Sequence, residues 1–67
     1  MRNTYKLYEL FIYPTESGNL KLTIYYDSPE YEVFAEMNHN MAMARHSNKR
    51  VAVKMAIEEL ILSSESV

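Results

Sequence analysis

Residues 20–26, LKLTIYY, place Leu20, Leu22, Ile24 and Tyr26 on one side of an extended chain and Lys21, Thr23 and Tyr25 on the other. A period of two in β-branched and aromatic residues marks a half-buried strand, because successive side chains of a strand point to opposite faces. Residues 14–19, PTESGN, are the strongest turn signal before it. On the far side of that turn, residues 5–13, YKLYELFIY, form a second run of β-formers. Together they predict a β-hairpin, which commits the chain to a sheet.

Asp27-Ser28-Pro29-Glu30 can turn the chain into a third strand or start a helix, with Ser as N-cap and Pro at the first helical position. As a strand, Tyr31, Val33, Ala35 and Met37 share a face against Glu32, Glu36 and Asn38. As a helix, Val33, Phe34, Met37, Met41 and Ala44 fall within one arc. From about residue 48 to 63 the pattern is helical: Ala52, Val53, Ala56, Ile57 and Leu60 make a core face, and Ser47 or Asn48 supplies the N-cap. The predicted fold is α+β, a three-stranded antiparallel sheet packed by one C-terminal helix. The alternative is a β-hairpin followed by two helices.

A chain of 67 residues makes one domain. Such a chain buries only about 60% of its unfolded surface, so self-association is a natural source of extra core. With no cysteine there is no disulfide framework and no thiolate metal site. No apolar run is long enough for a signal peptide or a bilayer span, so a cytoplasmic protein without membrane contact is expected. No cofactor or metal is expected either.

Charge is distributed unevenly. Residues 45–54 hold Arg45, Lys49, Arg50 and Lys54 and no acid, while the remaining three bases face all nine acids. Bases at a helix N-terminus oppose the macrodipole, which favours anions there. Lys49, Arg50 and Lys54, with the free N–H groups of the first turn and with Arg45, His46 and Asn48 just before it, therefore form a candidate anion site. Phosphate is the usual ligand of such a combination.

The segment NKRVAVKMAIEELI resembles the closing helix of the double-stranded-RNA-binding domain. Lys49 and Arg50 match the family's basic pair, Ala52 and Ala56 its small positions, and Leu60 and Ile61 its apolar end. The resemblance covers about the last twenty residues. It implies strands preceding the helix and a basic helix start set on the phosphates of an A-form duplex. The family's first helix has no counterpart, and Lys54 stands one position beyond the family's third lysine.

Other residue sets suggest a protein contact. Val51, Met55 and Leu62 form a second apolar strip on the helix, suited to a partner or to a homodimer that packs helix on helix. Tyr25 belongs to a set of six tyrosines, with Tyr5, Tyr8, Tyr13, Tyr26 and Tyr31, that can anchor an interface. Glu36 and His39 form one Glu-x-x-His spacing, which lacks the further copies a metal site needs. No nucleophile triad, phosphate loop or paired acid and base is present, and no enzyme is expected. Two functions follow: a module binding duplex RNA or DNA through Arg45, His46, Asn48, Lys49, Arg50 and Lys54, or a small phage-type or mobile-element inhibitor or adaptor binding a host protein through its acidic sheet and a surface that includes Val51, Met55, Leu62 and Tyr25.

Overall fold

The computed structural model describes residues 6–65. Four strands, β1 (Lys6–Thr15), β2 (Gly18–Asp27), β3 (Glu30–Met37) and β4 (Asn40–His46), form an antiparallel sheet in chain order, and one helix, α1 (Lys49–Glu65), follows. The hairpin and the C-terminal helix are as the sequence predicts. The three-stranded sheet is corrected to four strands, and the hairpin-plus-two-helices alternative is excluded, because residues 31–44 are two strands joined by a turn.

The reversal lies at Asn38 and His39, with φ of 52° and 71°. Two consecutive residues at positive φ give the type I′ geometry whose twist matches the flanking strands, and asparagine tolerates it better than most residues. At the same end of the sheet, Asn38 Nδ2 donates to the Ser17 carbonyl at 2.6 Å, joining this turn to that of the first hairpin. Gly18 meets the same contact with φ of 135°, and a Cβ there would lie 2.6 Å from Asn38 Oδ1. The first turn itself is shorter than PTESGN suggests: Pro14 and Thr15 belong to β1 and pair with Asn19 and Gly18. Proline is tolerated there because β1 is an edge strand.

One face of the sheet is covered by α1. Leu22, Ile24, Val33, Ala35 and Ala44 from the strands are buried against Ala52, Ala56 and Leu60 of the helix. Small residues determine where the helix lies: it packs on β3 and β4, where Ala35, Ala42 and Ala44 meet Ala52 and Ala56. The β1–β2 half of that face carries larger residues, Phe11, Tyr13, Leu22 and Ile24, and the helix leaves it partly uncovered. Asn48 caps the helix, its Oδ1 accepting from the N–H groups of Arg50 (3.0 Å) and Val51 (3.3 Å).

The opposite face has no second layer among the described residues. Pairing aligns Leu10, Thr23, Phe34 and Met43 in one row across all four strands. The row on one side of it is Ile12, Lys21, Glu36 and Met41; on the other it is Leu7, Tyr25, Glu32 and Arg45. Leu7, Leu10, Ile12, Met41 and Met43 are each at least 47% exposed.

Candidate functional site

The bases that are neighbours in sequence are separated in space. Arg45 alternates with the buried Ala44 and so projects from the open face of the sheet, whereas Lys49, Arg50 and Lys54 lie on the helix above the other face. Arg45 is held by acids: its guanidinium lies 3.1 Å from Glu30, 3.2 Å from Asp27 and 3.8 Å from Glu32. Hydrogen bonds to Glu30 and then Asp27 raise its pKa above the ordinary arginine value. Glu32 is 4% exposed, and its Oε1 is buried without a hydrogen-bond partner.

This arrangement makes Arg45 the counter-charge of a nearly buried carboxylate rather than a free anion ligand. Arg45→Ala is expected to lower the urea midpoint, because it leaves Asp27, Glu30 and Glu32 facing one another with one carboxylate desolvated. Glu32→Gln in the same chain should return most of the loss. An Arg45→Ala protein as stable as the parent would show that the arginine does not balance these acids.

Lys49 is also engaged. Its Nζ lies 2.8 Å from Glu9 Oε1 and 5.0 Å from the centroid of the Tyr8 ring, a cation–π contact. The hydrogen bond to Glu9 raises the lysine pKa. The stabilisation from this pair is therefore present below the ordinary lysine value and is lost as pH rises through the raised one. The base at the helix start thus has a partner on β1, which offsets its unfavourable place in the macrodipole. His46 Nδ1 accepts from the Asn48 N–H at 2.9 Å, and Asn48 is occupied as the cap.

Arg50 and Lys54 remain. Among the described residues neither forms an ion pair. Both border the uncovered strip between α1 and the β1–β2 hairpin, a groove of about 520 Å³. Its floor is Phe11, Leu22, Ile24, Val53 and Ile57; the Glu9 and Lys49 pair also borders it, as do Tyr13 and Glu58. Val53 and Ile57, read in sequence as core, are only partly buried because they line this groove. The sequence carried a signal for it: the large Leu22 and Ile24 oppose small alanines at 52 and 56, which cannot fill the space on both sides of the helix.

The residues expected at a protein interface do not form one patch. Val51, Met55 and Leu62, 37%, 39% and 62% exposed, line the helix flank away from the groove. Tyr25 lies on the open sheet face, edge-on to Phe34 at 5.8 Å. Of the remaining tyrosines, Tyr8, Tyr26 and Tyr31 cluster on the helix side of the sheet, and Tyr5 lies outside the described residues. Among the described residues no set of His, Asp and Glu is arranged to hold a metal, and no helix is long and apolar enough to cross a membrane.

Comparison with protein-family models, with curated proteins and with solved structures finds no match to this chain.

Proposed function

We propose that this chain is a small binding module that takes an acidic, amphipathic segment of a partner protein into the groove between α1 and the β1–β2 hairpin. The observation that carries the proposal is the pairing of an apolar floor with two uncommitted cations: Arg50 and Lys54 stand beside Phe11, Leu22, Ile24, Val53 and Ile57. An apolar groove with a few charged groups at its edge is the general form of a peptide site, in which apolar side chains supply affinity and charges supply orientation. A duplex presents phosphates and sugar edges, which have no use for such a floor. With Lys49 and Arg45 engaged by acids, two cations are also few for phosphate binding, whose affinity grows with the number of contacts.

The test is selection of random displayed peptides on the intact protein, followed by fluorescence anisotropy with a selected peptide. Selected sequences should combine Asp or Glu with large apolar residues, and Arg50→Glu with Lys54→Glu should weaken binding roughly tenfold or more. Binders lacking acidic residues, or unaffected by the charge reversal, would overturn the reading. Retardation of duplex RNA or DNA that is lost in Lys49→Ala/Arg50→Ala, with no peptide selected, would replace it with the phosphate reading.

A further inference from the structure

The open face of the sheet is a separate surface from the groove. Large apolar side chains rarely stay uncovered over several adjacent strands, since a sheet face is stabilised by a second layer. Here the row Leu10, Thr23, Phe34 and Met43 crosses all four strands, and Ile12 and Met41 extend it at the two edges.

The charges indicate what covers it. Lys21 and Glu36 are direct cross-strand neighbours on the two central strands, and among the described residues neither forms an ion pair. A two-fold axis running along the strands, between β2 and β3, exchanges β2 with β3 and β1 with β4. Under that operation Lys21 comes to lie over Glu36 of the second copy, and Glu36 over its Lys21. The same operation sets Leu10 over Met43, Ile12 over Met41 and Thr23 over Phe34. These two rows are therefore complementary to themselves in both charge and apolar character, which a two-fold contact requires. The third row sets Leu7 over Arg45 and Tyr25 over Glu32 of the second copy, with the arginine already balanced by Asp27, Glu30 and Glu32.

We infer that the open face is the interface of a homodimer in which two sheets pack face to face, with Lys21 and Glu36 forming reciprocal ion pairs across the axis. Sheets stacked this way lie about 10 Å apart and about 30° from parallel, so the central strands stay in register while the outer ones diverge. The ion pairs sit on the central strands, where that divergence is least.

The experiment is analytical ultracentrifugation of the whole chain over a wide concentration range, with circular dichroism confirming that each variant is folded. The parent should sediment as a dimer. Lys21→Glu alone and Glu36→Lys alone should each weaken association roughly tenfold or more, because each sets like charges across the axis. An equimolar mixture of the two should recover the dimer, since each variant then meets its complement. Leu10→Lys should give a folded monomer that keeps peptide binding in the groove. A parent that stays monomeric at hundreds of micromolar would overturn the inference. So would a dimer indifferent to Lys21→Glu and Leu10→Lys, or a mixture that fails to reassociate.

Discussion

Ile24→Ala should remove most of the stability of this protein. Ile24 is 1% exposed, sits on a central strand, and supports both the helix-facing core and the groove floor. Truncating a buried isoleucine to alanine costs about 2–5 kcal/mol, the larger values where the site cannot collapse. At roughly 0.05–0.15 kcal/mol per residue, a domain of this size holds a total stability of the same order. The expected result is a drop of about 10 °C or more in Tm by circular dichroism. A loss below about 1 kcal/mol would mean that the residue does not close the core as described.

Ala56→Leu should act through the opposite defect. Ala56 is fully buried in the seam where α1 meets β3 and β4, facing the small side chains of Ala35, Ala42 and Ala44. Adding three carbons there forces the helix off the sheet or distorts rotamers, at a cost of about 1–3 kcal/mol. Leucine and alanine differ little in helix propensity, so the loss reports the seam and not the helix itself. Ile61, on the exposed side of the same helix, provides the control: Ile61→Leu should leave the urea midpoint almost unchanged. Equal effects at the two positions would deny that alanines set the approach of helix to sheet.

Much of this fold could be read directly. The alternation of LKLTIYY survives in the structure because β2 has one face against the helix and one without a covering layer, and the alanine-rich stripe of α1 survives because one side of the helix is buried. The fourth strand escaped for a reason of parity. On β3 the helix-facing residues are odd, Tyr31, Val33, Ala35 and Met37; on β4 they are even, Ala42, Ala44 and His46. A two-residue turn shifts the alternation by one, and across Met37, Met41 and Ala44 the shifted pattern imitates a helical period. The cue that resolves it is local, the Asn38–His39 pair suited to positive φ.

The candidate site was legible in part. Among the described residues Arg50 and Lys54 form no ion pair, whereas the partners of Arg45 and Lys49 could not be assigned from spacing alone. Their acids come from other strands, Asp27, Glu30 and Glu32 for one and Glu9 for the other. The apolar character of the open face was obscured because Glu32 and Glu36 flank Phe34 on the same face of β3.

The first strand carries an extra residue, Tyr8, between its pairings at Leu7 and Glu9, and a proline at position 14 near its far end. Both interrupt the ladder of backbone donors and acceptors that an edge strand otherwise offers to another chain. Lateral growth of sheet onto sheet, the route to fibrils, is obstructed along this edge even though Leu7, Leu10 and Ile12 are exposed on the strand. In the dimer proposed above, association uses the face and not this edge, so the contact closes on itself after two copies and the assembly remains finite.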